Sequence, residues 1–305
     1  MRTTEASGGL PSRPVPEGLR AGPAVPRMVL GERLRRLREA QYISRKEAGE
    51  AIRVSDVTIA RLELGRTGFR ERDVVDLLTI YGVTDQTERA TLLALAAQSN
   101  TRGWWHAYGD VLPDWLHTYL GLEQAADVIR SYEAQFVPGL LQTRDYARAV
   151  IALGRYDPSR RTPDDRLERR LELRMRRQRI LRRPNAPHLW AVIDEAALRR
   201  PIGGRDVQRA QLRHLVTMSE LPQVTVQVMP FEVGGHAAAG GSFTLLRLPE
   251  REVPDVVFLE QLLGATYPDE GEDIETYRHV MDRVVVEAAS SARSREILHR
   301  IAGEL

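Results

Sequence analysis

The sequence predicts an α+β protein: an all-α N-terminal unit of five helices, then an α+β domain. Three observations predict it. Apolar residues recur at helical spacing from Met28 to Gln98, and after Pro187 the period shifts to short β-rich runs. The basic residues, finally, concentrate in the first of these regions.

Residues 1–27 are rich in Gly, Pro and Ser and lack the apolar core of a signal peptide, so they read as a disordered leader. The first helix follows, with Leu30, Leu34 and Leu37 on one face. Ser44 with Glu47 three residues on fits a capping box, and Ala48, Ala51 and Ile52 form the inner stripe of the second helix. Ser55 is a natural N-cap for the third, which buries Ile59 and Leu62 and ends at Gly65. "RERDVVDLLTIYGV" and "DQTERATLLALAAQ" complete the five, split near Gly82–Thr84. This unit spans residues 28–98, and residues 99–305 form the second domain.

In that second domain, Trp104, Trp105 and Trp115 cluster in "TRGWWHAYGDVLPDWL", read as an aromatic patch packing one domain on the other. His106, Asp110, Asp114 and His117 lie nearby, but Pro113 interrupts any helix that would align the two histidines, so no metal site is assigned. Thr143 caps a helix carrying Tyr146, Ala149 and Val150. Asp164–Arg183 is an arginine-rich helix with a thin stripe of Leu167, Leu171, Met175 and Gln178, read as a solvated face. "HLWAVID", "QVTVQVMPF", "SFTLLRL" and "DVVFLEQ" read as strands, the second and fourth nearly fully buried. "EAALRR" begins a helical crossover and Val207–Ser219 is amphipathic; Ile274–Ala289 and Ser294–Ala302 close the chain. The result is a small mixed β-sheet backed by helices.

Composition narrows the classes of function. The 305 residues include no cysteine, which removes disulfides and thiolate chemistry and suits a reducing cytoplasm. No run of 18 apolar residues appears, so no membrane span is expected. Of 44 basic residues only Lys46 is lysine, a skew that suggests a GC-rich bacterial genome. The net charge is +2, yet eleven basic residues face six acids between Arg27 and Arg70, leaving the rest of the chain slightly acidic. A basic module on a neutral-to-acidic body is the footprint of a DNA-binding regulator. No nucleophilic triad, carboxylate pair or phosphate loop stands out, so neither an enzyme nor a cofactor is expected.

"EAGEAIRVSDVTIARLELGRTGF" resembles the Xre/phage-repressor family, whose reading helix closes on an "(I/L)E.G(R/K)" run, here "LELGR". The resemblance implies that Glu63 pairs with Arg38 of the first helix, and that the third helix enters the major groove. Ser55, Asp56, Val57, Thr58 and Arg61 then face DNA, Arg45 lies near a phosphate or outer base, and Arg66, Thr67 and Arg70 grip the backbone. Arg61 suits a bidentate contact with guanine, and Val57 or Thr58 a thymine methyl. Two residues depart from the family. Gly49 stands where Ala is usual, at an expected ~0.5–1 kcal/mol, and Arg53 stands where the turn usually has Gly.

Further on, "GWWHAYGDVLPDWL", "YEAQFVPGLLQTRDYARAVI", "LWAVIDEAALRRPIGG", "LPQVTVQVMPF" and "GSFTLLRLP" resemble, in order, the large C-terminal domain behind an Xre module in actinobacterial WhiJ-like or antitoxin-like regulators. The resemblance implies a transcriptional regulator acting with a small partner protein encoded nearby, and because one helix reads only a few base pairs a dimer is expected. A small-molecule-sensing repressor is the alternative. Trp104, Trp105, Tyr132 and His236 are the candidate ligand or partner contacts, His236 lying in the loop "FEVGGHAAAGGS".

Overall fold

In a computed structural model, residues 22–154, 164–250 and 253–305 are described. The stretch read as a leader lies mostly outside them. Its last residues do not: helix α1 spans Ala24–Ala40, beginning four residues before Met28. Ala24 and Val25 are buried in the core of the second domain, and that burial extends the helix backwards.

Five helices make the N-terminal unit: α1, α2 (Arg45–Ile52), α3 (Asp56–Glu63), α4 (Glu71–Ile80) and α5 (Gln86–Gln98). Their apolar stripes meet in a core of Leu30, Leu34, Ala48, Ile59, Leu62, Phe69, Leu77, Leu78, Tyr81 and Leu92. Gly82 takes a positive φ of 72° between α4 and α5, where the sequence placed the break.

The second domain adds α6 (Asp114–Ala125), β1 (Val128–Glu133), α7 (Arg144–Leu153), α8 (Asp164–Arg177), β2 (His188–Asp194), α9 (Glu195–Arg199) and α10 (Arg205–Met218). It continues through β3 (Val224–Met229), β4 (Phe243–Arg247), β5 (Val256–Gln261), β6 (Gly264–Thr266), α11 (Gly271–Glu287) and α12 (Ser291–Glu304). The six strands form one mixed sheet in the order β3-β2-β1-β4-β5-β6. β1, β2 and β3 run parallel, joined by the helical crossovers that parallel pairing requires, while β4, β5 and β6 are antiparallel.

Alternate side chains of β2 enter different cores. Leu189, Ala191 and Ile193 pack with α10 and α12, and Val192 packs with α11. Both faces of the sheet are thus covered, which is why β3 is buried along almost its whole length. β5 departs from its reading as a buried run: it is buried over Val256, Val257 and Phe258, but Glu260 and Gln261 are exposed at the sheet's edge.

Helix α1 serves both domains. Ala24, Val25 and Val29 belong to the large core, whereas Leu30 and Leu34 belong to the N-terminal one. A β-carbon on Gly121 would stand 2.8 Å from Ala24 Cβ, so α1 and α6 cross in close contact. Trp105, only 1% exposed, seals this junction against Gly22 and Gly103.

Candidate nucleic-acid interface

The turn between α2 and α3 is built from local chemistry. Ser44 Oγ accepts from Glu47 N–H while the Glu47 carboxylate accepts from Ser44 N–H at 2.7 Å, closing the capping box. The carboxylate also accepts from the Ser44 hydroxyl at 2.7 Å, and the bonds from Ser44 N–H and Oγ–H together hold the Glu47 carboxyl below its ordinary range. Arg53 then adopts the left-handed conformation, φ 59°, and Val54 N–H donates to Gly49 O at 2.8 Å. The turn therefore keeps the geometry that favours glycine although arginine occupies it.

Gly49 supplies what the turn needs from the other side. A β-carbon there would lie 2.6 Å from Val54 O, a backbone atom. The expectation that Gly49 only weakens α2 is corrected, because alanine would collide with the turn.

Ser55 Oγ accepts from Thr58 N–H at 3.2 Å and lies 3.0 Å from Thr58 Oγ1. Both side chains are occupied in starting α3. Gly65 ends it with φ 65°, packed on Met28 of α1.

Glu63 locks the unit from inside. Its carboxylate, 3% exposed, accepts from Arg38 Nε at 2.5 Å and Nη2 at 3.1 Å, and from Arg45 Nε at 3.0 Å. Arg38 also donates to Ile43 O at 2.8 Å, fixing the loop before α2. The hydrogen bond with Glu63 raises the Arg38 pKa further above its ordinary value. Burial, then the Glu63 charge, pushes the Tyr81 hydroxyl up as well. Three elements, α1, α2 and α3, are held on one buried carboxylate.

What remains outside is the reading face. Asp56, Val57 and Arg61 are exposed, Val57 at 58%, and Thr58 is half-buried at the edge. The Asp56 carboxylate accepts from Val57 N–H at 2.9 Å, at the positive end of α3. Among the described residues Arg53, Arg61 and Arg70 have no ion-pair partner, so their guanidinium groups are available to phosphates or bases. Arg70 is the N-cap residue of α4, and Thr67 is half-buried beside it. Arg66 is already engaged: its Nη2 donates to Tyr267 O at 3.1 Å and lies 3.0 Å from Asp269 Oδ2. Tyr42, 96% exposed with φ 56°, is a further residue beside α2 that sequence reasoning missed. Nothing in its spacing marks it.

The second domain separates the other candidate residues. Trp105 is sealed inside the chain and offers no surface to a ligand, which corrects its place among the contacts. Trp104 is half-buried, its Nε1 donating to Gln124 Oε1 at 3.4 Å, with Arg176 4.7 Å from its ring centre.

Helix α8 departs from its reading as a solvated basic face. Arg169 grips Asp110 with two bonds of 2.8 Å, Arg177 holds the buried Glu123, and Arg174 donates to Gln142 at 2.8 Å. Asp110, His106 and His117 form no metal group either: none exists among the described residues, and Arg169 holds the Asp110 carboxyl below its ordinary range. The Asp114 side chain lies outside the described residues.

Tyr132 and His236, 104 residues apart in sequence, do meet. Tyr132 Oη lies 3.1 Å from His236 Nε2 and 3.1 Å from Asp194 Oδ2. His236 Nδ1 accepts from Ala238 N–H at 3.2 Å, which places the proton of a neutral ring on Nε2. The chain His236–Tyr132–Asp194 then runs donor to acceptor at the carboxyl ends of β1 and β2. Burial, reinforced by Asp194, pushes the Tyr132 hydroxyl up. Asp194 also accepts from Ala196 N–H at 2.8 Å as the cap of α9, which the sequence did not single out.

A compact unit whose reading helix is capped, braced from behind and exposed on one face is a helix-turn-helix DNA-binding module. Residues 29–92 match the family described as Helix-turn-helix domain. Residues 116–300 match the family described as Domain of unknown function (DUF5753), and the chain belongs to that family. No curated protein and no solved structure matches the chain. The helix-turn-helix match is that of a DNA-binding regulator. Among the described residues no helix is long and apolar enough to cross a membrane.

Proposed function

We propose that this protein is a sequence-specific transcriptional regulator of the Xre type, not an enzyme, which binds operator DNA as a dimer. The observation that carries this reading is the exposed face of α3, Asp56, Val57 and Arg61, held rigid by the buried Arg38–Glu63 pair. One helix reads only a few base pairs, so two copies on a pseudo-palindrome are expected. The second domain binds a small partner protein in an antitoxin-like manner. Leu262 and Leu263, 97% and 93% exposed at the tip of the β5–β6 hairpin, are the apolar surface for it to cover. Selection of bound duplexes from a random pool, at two salt concentrations, tests the reading. An enriched palindromic sequence supports it, and recovery of an unenriched pool at both concentrations overturns sequence-specific regulation.

A second reading, a repressor that senses a small molecule, has one supporting observation. The Tyr132–Asp194–His236 cluster sits at the carboxyl ends of parallel strands, where open sheets commonly bind ligands. Mass spectrometry of the heat-released supernatant of purified protein tests it: a stoichiometric small molecule supports it, and its absence from active protein counts against it.

A further inference from the structure

The arginine just beyond the reading helix faces two masters. The family resemblance places Arg66 on the DNA backbone, yet its guanidinium binds Tyr267 O at 3.1 Å and Asp269 Oδ2 at 3.0 Å, both on the segment leaving β6. Arg66 follows Gly65, the positive-φ residue packed against Met28, so its backbone origin is fixed relative to α3. The opposing segment is equally rooted. The Tyr267 ring packs 5.4 Å from that of Phe258, and its hydroxyl donates to Trp115 O at 3.3 Å on α6.

The ion pair itself is loose. The Arg66 and Asp269 side chains are 45% and 41% exposed, and an ion pair this wet is weak and easily exchanged. Beyond Asp269 the chain continues with Glu270, Glu272 and Asp273, all exposed at the start of α11. An acidic segment of this kind presents carboxylates much as DNA presents phosphates.

We propose that Tyr267–Asp269 is an intramolecular competitor for DNA: it holds Arg66 until a phosphate displaces Asp269. The second domain thereby sets how much of the basic surface DNA can use. A ligand or partner that moves the Tyr267–Phe258–Trp115 cluster would change DNA affinity without touching α3. This inference rests on the DNA-binding reading above.

The test is a two-by-two set of full-length proteins: wild type, Asp269→Asn, Arg66→Ala and the double variant. Each is titrated with a 30-base-pair duplex of random sequence across a salt series, with thermal melting as a check of folding. Asp269→Asn should bind roughly two- to five-fold more tightly, the range expected when one exposed ion pair no longer competes. Its plot of log affinity against log salt should keep the wild-type slope, since Arg66 reaches the same phosphate in both, whereas Arg66→Ala should flatten the slope by about 0.9, one counterion. In the Arg66→Ala background the gain should vanish. A gain of equal size in that background overturns the competition in favour of general charge repulsion. Unchanged or weaker binding by Asp269→Asn overturns it in favour of a brace. If neither wild type nor Asp269→Asn binds duplex, the DNA-binding reading itself falls, a different pattern from either of those.

Discussion

Gly49 and Val54 touch through backbone alone: a β-carbon on Gly49 would sit 2.6 Å from the Val54 carbonyl oxygen. The turn that joins α2 to α3 is thus clamped between a glycine inside the helix and an arginine, Arg53, held at φ 59°. Gly49→Ala, favourable by helix propensity, is expected to destabilise the protein by about 1–3 kcal/mol through overpacking. Arg53→Gly is expected to stabilise it by about 0.5–1 kcal/mol, since relief of the left-handed strain exceeds the entropy added to the unfolded chain. Urea denaturation of the two variants checks both signs.

Glu63 is the second point of weakness. Removing its carboxylate leaves Arg38, 8% exposed, charged and without its principal partner. Glu63→Ala should cost about 3–5 kcal/mol. Because α1, α2 and α3 all meet on this group, loss of DNA binding should accompany the loss of stability. A fall below 1 kcal/mol in chemical denaturation would show that the pair does not hold the unit together.

Arg61 and Arg70 should separate base reading from backbone contact. Arg61→Ala is expected to reduce discrimination between selected and random duplexes by about 1–3 kcal/mol. Arg70→Ala should weaken both equally and reduce the salt slope by about 1. Both side chains are exposed, so neither change should move the melting temperature by much. Equal losses on both duplexes for both variants would remove Arg61 from base reading.

Glu133 makes stability depend on pH. It is half-buried at the end of β1, and burial, reinforced by the Glu260 charge, pushes its carboxyl up to about 8, against the opposing pull of Arg177 and Arg174. The folded state keeps the proton where the unfolded chain releases it, so the stability tied to this group is fully present below the unfolded pKa. It is lost as pH rises towards 8. Glu133→Gln should therefore match the wild type near pH 4.5 and exceed it at pH 8.5. The difference should be on the order of 1–3 kcal/mol, a range reduced for partial solvent contact. Melting curves at the two pH values decide it, and a variant less stable at pH 8.5 would reverse the sign.

Much of the local structure was legible in the sequence. Ser44 with Glu47, Ser55 and Gly65 mark their helix ends because a cap is made within three or four residues of chain. The runs "HLWAVID" and "QVTVQVMPF" declared themselves as strands because they are short and rich in valine and other apolar residues, as a sheet covered on both faces requires. Other elements carried no such signal. β6 is only three residues long, and α6 begins just after Pro113 in a stretch whose tryptophans and histidines hide the helical period.

By itself, then, the sequence determined the two domains, the capped helix-turn-helix and the basic character of its surface. Only the tertiary structure decided which charges on that surface are free. Arg45 is drawn to Glu63, Arg66 to a segment 201 residues away at Tyr267, and the arginines of α8 to Asp110, Glu123 and Gln142. Arg61 and Arg70 are left to solvent. The reason is physical: a cap depends on neighbours fixed by the covalent chain, whereas an ion pair depends on distances that exist only once the domains have packed.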